Sequence, residues 1–199
     1  MILLYPTKHY TEIERGYVMA GMIHLYIGDG KGKTTAAVGL AMRVAGSDRK
    51  VVFAQFLKSR STGEIVSLKK LGIEVIRSDI EFGFTWTMNE KQKEECKNEQ
   101  QRIFDSACKE VQDCLNVKNE SEIIAVLFLD EIVDAVGKDM INQDMLRDFL
   151  TSKPEGLEIV MTGHEAVDWL IEMSDYVTVM KKIKHPFDEG VAARDTIEY

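Results

Sequence analysis

The sequence predicts an α/β fold, a mostly parallel sheet of about six strands with helices on both faces. Three observations predict it. Short apolar runs recur along the 199 residues, and some, such as IIAVLFL at 123–129, are apolar without interruption, as strands covered on both faces must be. Longer segments with apolar residues at helical spacing separate these runs. A glycine-rich turn joins the first run to the first helical segment.

Strands are predicted near 22–27, 50–56, 73–77, 123–129, 157–162 and 175–180. A helix begins near Lys33, because Ala37, Leu40, Ala41 and Val44 follow the i, i+3, i+4, i+7 rule. Ser61 with Glu64, just before Ile65, Leu68 and Leu71, fits a capping box. Residues 89–116 read as one long helix. Its first half, EKQKEECKNEQQ, is almost wholly polar and is expected to project into solvent. Its second half carries Ile103, Phe104, Ala107, Cys108, Val111 and Leu115 on one stripe. Thr87 and Glu90 fit a capping box at its start. Ala166, Trp169, Leu170 and Met173 mark a further helix. No repeat or clear boundary divides the chain. A single domain is therefore expected over 22–199, behind an N-terminal extension, 1–21, that is a lid, a dimer element or a tail.

Composition narrows the function classes. Hydrophobic residues make up 45% and charged residues 29%, which is ordinary for a globular chain. Twenty-five Lys and Arg against 33 Asp and Glu leave a formal net charge of −8. That balance argues against a nucleic-acid-coating protein, whose affinity comes from cations neutralising phosphates. It leaves room for a local basic pocket around a small anion. No apolar run approaches the ~20 residues that span a bilayer, so no membrane partner is expected. The first residues lack the charged and long apolar regions of a secretory signal. Cys96, Cys108 and Cys114 are odd in number and lack CxxC spacing. They fit reduced structural thiols in a cytoplasmic protein.

The most informative string is MIHLYIGDGKGKTTAAVGLAMRVAG. A strand, a glycine-rich loop and a helix follow one another, which is the context of a phosphate-binding loop. Gly28, Asp29, Gly30, Lys31, Gly32, Lys33, Thr34 and Thr35 form it. Gly28, Gly30 and Gly32 let the backbone approach an anion and turn N–H groups towards it. The helix N-terminus adds partial positive charge. Lys33 supplies a full charge to the phosphates, and the Thr34 hydroxyl is suited to Mg2+ or Mn2+. The usual pattern has a glycine five positions before the Gly-Lys pair; here that position is Ile27, so the loop is one residue short. The competing reading is a plain glycine-rich turn with a solvated lysine.

Asp130 and Glu131 follow the apolar run 126–129. A carboxylate at the carboxyl end of a strand beside a phosphate loop can hold a divalent cation. The alternative is that Asp130 is the N-cap of a helix holding Ile132, Val133 and Val136.

Four strings, GDGKGKTTAA at 28–37, GFTW at 83–86, LDEI at 129–132 and KHPFDEGVAAR at 184–194, occur in an order and spacing that resemble the ATP:corrinoid adenosyltransferases of the phosphate-loop class. The resemblance covers about 22–199, and the short loop is itself a mark of that family. It implies transfer of the 5′-deoxyadenosyl group of ATP to the cobalt of a reduced cob(I) corrinoid, with triphosphate leaving. The nucleophile is then cobalt, so no Ser–His or Cys–His pair is required. Lys33, Thr34 and the loop amides would stabilise the leaving triphosphate, and Thr34, Asp130 and Glu131 would hold the cation. By the resemblance, Phe84 and Trp86 pack on the lower face of the corrin and exclude its axial ligand; the other reading makes them core, with Trp86 a hydrophobic staple for the long helix. The segment with Lys184, His185 and Arg194 would line the substrate site, although His-Pro is also a common rigid turn. A flavoprotein reductase and a homodimer belong to the same expectation.

Two positions depart from the family pattern. The Thr162-Gly163 pair is followed by His164 where an Arg is usual, and Thr196 stands where a Gly is usual. A His supplies neither a planar fork nor a permanent charge. Two rival functions use the same loop: an ATPase or small-molecule kinase, and a non-catalytic, nucleotide-gated corrinoid-binding protein.

Overall fold

The structure is a computed structural model, and it describes residues 20–47, 49–58, 60, 62–83, 85–115, 125–194 and 196–197. Its elements are β1 (Ile23–Ile27), α1 (Lys33–Ala45), β2 (Lys50–Gln55), α2 (Gly63–Lys70), β3 (Glu74–Arg77), α3 (Glu90–Leu115), β4 (Ala125–Asp130), α4 (Ile132–Gly137), α5 (Gln143–Thr151), β5 (Leu157–Thr162), α6 (Asp168–Met173) and β6 (Tyr176–Val179). The six strands form one sheet in the order β3-β2-β4-β5-β1-β6, and every pairing is parallel. The predicted α/β class and the six strands are therefore both present.

The apolar runs explain the layering. Every residue of β4 is buried, because successive side chains point to opposite faces and both faces are covered. Val52, Ala54, Leu127 and Leu129 face a core closed by α3, α4, α5 and α6, with Ile103, Phe104, Ile132, Leu146 and Leu170 among its members. Val51, Phe53, Val126 and Phe128 face a second core closed by α1 and α2 through Ala37, Ala41, Ile65 and Leu68. Among the described residues, edge strand β6 pairs only with β1, and it is exposed along its length.

Several local expectations change. The box that starts α3 is Asn89 with Gln92: Gln92 N–H donates to Asn89 Oδ1 at 2.9 Å, and Asn89 N–H donates to Gln92 Oε1 at 3.0 Å. It replaces Thr87–Glu90, because the amide side chain two residues later reaches the orphan amides. The polar half of α3 is exposed only in part: Cys96 and Gln100 are already buried. Thr62 stands at the N-cap of α2 without a side-chain capping bond; Ser61 lies outside the described residues. The three cysteines are unpaired thiols, and burial pushes the Cys108 thiol up to about 12. Residues 1–19 of the expected extension lie outside the described residues, whereas Gly21 is buried and its N–H donates to the Glu155 carbonyl at 2.6 Å. Among the described residues, no helix is long and apolar enough to cross a membrane.

Candidate nucleotide and metal site

The carboxyl ends of β1, β2, β4 and β5 meet at one edge of the sheet, where ligands bind in open α/β sheets. The loop after β1 turns into α1 at Gly32, whose φ of 118° is in the left-handed region. Lys33, Thr34 and Thr35 are the first residues of α1, so their N–H groups have no partner within the helix. The first turn carries no acidic residue. The Lys33 side chain is buried and folds back over the loop, donating to the Gly30 carbonyl at 3.0 Å.

Gly28 and Gly30 also have a structural role in the loop. Gly28 N–H donates to the His164 carbonyl at 2.8 Å, and Gly30 N–H donates to the Met180 carbonyl at 2.7 Å. These two amides are engaged by the protein itself. A Cβ on Gly28 would collide with the Met180 carbonyl, and one on Gly30 would lie 2.7 Å from it. Both positions need glycine because the backbone after β6 closes on the loop. The Asp29 carboxylate accepts from Lys182 N–H at 2.9 Å, and that bond holds its pKa below the ordinary value. Asp29 thus anchors the loop to the segment after β6.

Asp130, the last residue of β4, is fully buried. Its Oδ1 accepts from Thr34 Oγ1 and Thr162 Oγ1, each at 2.8 Å. Its Oδ2 accepts from Lys58 Nζ at 3.0 Å and Gln55 Nε2 at 3.2 Å. The N-cap alternative for Asp130 is overturned: the residue before α4 is Glu131, with a left-handed φ of 66°, and Glu131 N–H donates to Thr162 Oγ1 at 2.9 Å. The turn at Glu131 brings its carboxylate to 3.3 Å from Lys58 Nζ. Lys58 Nζ also lies 3.3 Å from Thr34 Oγ1. Burial opposes the charge on Lys58, but Asp130 and Glu131 outweigh it and raise its pKa. Burial raises the pKa of Glu131, and Lys58 only partly offsets this. Gln55 Oε1 is buried with no hydrogen-bond partner.

Glu131, Asp134 and His164 form an adjoining cluster whose ligand atoms lie within 4.8 Å of one another. Burial pushes Asp134 up, but hydrogen bonds with Glu131 and His164 more than offset this and leave its pKa lowered. His164 Nδ1 lies 3.0 Å from Asp134 Oδ2, and His164 N–H donates to the same oxygen at 2.9 Å. The His at the expected Arg position is therefore tied to α4, while its carbonyl steadies the phosphate loop.

The remaining predicted residues are more scattered. A recess of about 120 Å³ is lined by Leu57, Lys58, Ile80, Phe82, Gly83 and Thr85, among others. It contains two residues of the GFTW string. Phe84 lies outside the described residues, as does the side chain of Trp86, whose backbone forms a 3₁₀ turn, Thr85–Thr87. His185 caps a 3₁₀ turn, Pro186–Glu189, with Nδ1 accepting from Phe187 N–H at 3.2 Å; it is half-buried. Thr196 has a φ of 63°, the left-handed conformation that the usual Gly would adopt without strain.

Sequence reasoning missed Gln55, Lys58 and Thr162. A signal for two of them was present: Gln55 and Thr162 each end an apolar strand with a polar side chain, as Asp130 does.

Comparison with known proteins decides the family. The model of the family ATP:corrinoid adenosyltransferase BtuR/CobO/CobP matches residues 19–199. The chain belongs to this family. It is 32% identical over 181 residues to the corrinoid adenosyltransferase of Escherichia coli K12, covering 90% of this chain and 86% of that protein. It is 30% identical over 180 residues to the corrinoid adenosyltransferase CobA of Salmonella typhimurium, with the same shares covered. Among solved structures it resembles the EssC ATPases 2 and 3 of Geobacillus thermodenitrificans, with a TM-score of 0.50, 16% identity, and coverage of 88% of this chain but 35% of that one. That likeness concerns the fold alone. As a corrinoid adenosyltransferase, the chain is a transferase that moves the adenosyl group of ATP to a corrinoid.

Proposed function

We propose that the chain transfers the 5′-deoxyadenosyl group of ATP to the cobalt of a reduced cob(I) corrinoid, releases triphosphate, and requires Mg2+ or Mn2+. One observation carries the reading: Thr34 Oγ1 and Asp130 Oδ1 meet at 2.8 Å beneath a phosphate loop one residue short, in a member of the adenosyltransferase family. The Thr34 hydroxyl and the Asp130 and Glu131 carboxylates are hard oxygen donors, which fit Mg2+ or Mn2+. The buried, unpartnered Gln55 Oε1 beside Asp130 adds a further acceptor to the same polar nest. A cation there would supply charge neutralisation for the phosphates.

The protein's own task is positional and electrostatic. Lys33 and the first amides of α1 hold the phosphates and stabilise the charge that grows on them as the C5′–O bond breaks. Cobalt supplies the electron pair, so no side-chain nucleophile is needed. The recess beside Gly83 and Thr85 adjoins this site through Lys58, which supports seating the corrin against Phe84 and Trp86. His185, whose Nδ1 is committed to its turn, would offer Nε2 to the corrinoid. The reading also assigns electrons from a flavoprotein reductase, a homodimer and a cytoplasmic location.

Phosphorus NMR of a reaction containing ATP, Mg2+ and chemically reduced corrinoid tests the reading. Triphosphate, formed in step with adenosylcorrinoid, supports it. ADP or orthophosphate as the product, with unaltered corrinoid, makes the chain an ATPase or kinase instead.

A further inference from the structure

We propose that Lys58 is an internal stand-in for the divalent cation, which holds the acidic cluster closed and is released towards the bound polyphosphate when metal enters. The proposal rests on the divalent-cation reading of Thr34, Asp130 and Glu131. Lys58 Nζ lies 3.0 Å from Asp130 Oδ2, 3.3 Å from Glu131 Oε1 and 3.3 Å from Thr34 Oγ1. These are the same three residues that would hold the cation. An ammonium ion and a divalent cation cannot share them, because like charges a few ångströms apart repel strongly in a poorly screened site.

The local backbone is built to place this lysine. Leu57 has a left-handed φ of 55°, unusual for a branched side chain, and its N–H is pinned by buried Gln100 Oε1 at 2.8 Å. The bend delivers Lys58 into the cluster directly after β2. The exit is equally plain. Asp130 is fully buried, but the Lys58 side chain is 31% exposed and lines the recess shared with Gly83 and Thr85. Rotation of its four-carbon stem moves the charge out of the cluster while the stem stays against the recess wall. The ammonium then remains within the phosphate site and adds to Lys33.

Such a competitor weakens metal binding in the absence of nucleotide by the fraction of time that Lys58 occupies the oxygens. Polyphosphate shifts the balance twice, by adding ligands for the metal and by offering Lys58 a new anionic partner. The metal would therefore be taken up together with ATP rather than before it.

The test measures Mn2+ affinity by EPR for the full chain, its Lys58→Met and Lys58→Gln variants, and the charge-keeping Lys58→Arg, with thermal melts as folding controls. Without nucleotide, the Met and Gln variants should bind Mn2+ about tenfold tighter than the parent, while Lys58→Arg stays near it. With saturating Mn2+, the Met and Gln variants should bind ATP more weakly than the parent. A purely structural lysine would not raise metal affinity on removal. Equal or weaker Mn2+ binding by both neutral variants overturns the proposal and leaves the metal site standing. Absence of Mn2+ binding in every form, even with ATP, overturns the metal site and the proposal with it.

Discussion

The Thr34 hydroxyl donates to the Asp130 carboxylate at 2.8 Å, although the two residues are 96 positions apart in the chain. This bond ties the first turn of α1 to the end of β4, two strands away across β5. Thr162, on the intervening β5, donates to the same oxygen at 2.8 Å and accepts from Glu131 N–H at 2.9 Å. The floor of the candidate nucleotide site is thus one hydrogen-bonded unit drawn from three elements, and substitutions within it should act jointly.

Lys33 is the first point of attack. Lys33→Ala should lower adenosyl transfer by about a hundredfold or more, since it removes an electrostatic donor to a leaving group. The fold should survive, because among the described residues the lysine's hydrogen bond is to the Gly30 carbonyl, within its own loop. Steady-state rates at low and saturating ATP, beside a thermal melt, check this. Near-parental kinetics would remove Lys33 from the phosphate site.

Asp130→Asn tests the shared floor. Asp130 accepts from four side chains, and an amide in its place turns one accepting oxygen into a donor facing other donors. The expected result is a stability loss of about 1–3 kcal/mol together with a raised Mg2+ requirement. A lower melting temperature with an unchanged Mg2+ requirement would leave Asp130 a structural residue only.

Much of this site was legible because its signals are local. IIAVLFL and the other apolar runs announce strands buried on both faces, and the glycine-rich loop announces itself by spacing and by its place between strand and helix. What stayed hidden depends on contacts between distant segments. Lys58 reaches Asp130 across 72 positions, and Gln55 reaches it across 75. No local pattern marks a lysine after a strand as a partner for carboxylates. Likewise, the amides of Gly28 and Gly30 look available in sequence, and only the approach of His164 and Met180 shows them engaged. The start of α3 near residue 89 was legible, but its capping box was not: Thr87–Glu90 and Asn89–Gln92 both suit the pattern, and the bonds form in the second pair.

Glu131 makes the metal-free protein sensitive to pH. Burial raises its pKa above the model-peptide value, so the native state holds a proton that the unfolded state has released. Stability is therefore unaffected below the unfolded carboxylate range and falls as pH rises from that range through the raised value. Glu131→Gln should remove this decline and stabilise the metal-free protein near neutrality. Melts from acid to neutral pH in a chelator check it. A variant that tracks the parent across the range would show that Glu131 ionises as an ordinary carboxylate.

Trp86 separates core from cofactor. If it seats the corrin, Trp86→Ala should keep much of its rate with chemically made cob(I)alamin. It should fail with cob(II)alamin and a weak physiological reductant, because the axial ligand returns and the cobalt resists reduction. If it is core, the substitution should cost about 3–5 kcal/mol and lower both rates alike. The ratio of the two rates, variant against parent, distinguishes the cases, with a melt as control.

Service of this phosphate loop in adenosyl transfer to cobalt is open to a direct test. The most direct measurement follows the absorbance of chemically reduced cob(I)alamin on mixing with the protein, ATP and Mg2+. The expected result is ATP-dependent loss of the reduced-corrin spectrum and stoichiometric formation of adenosylcobalamin. Hydrolysis of ATP with the cob(I) spectrum unchanged would contradict it.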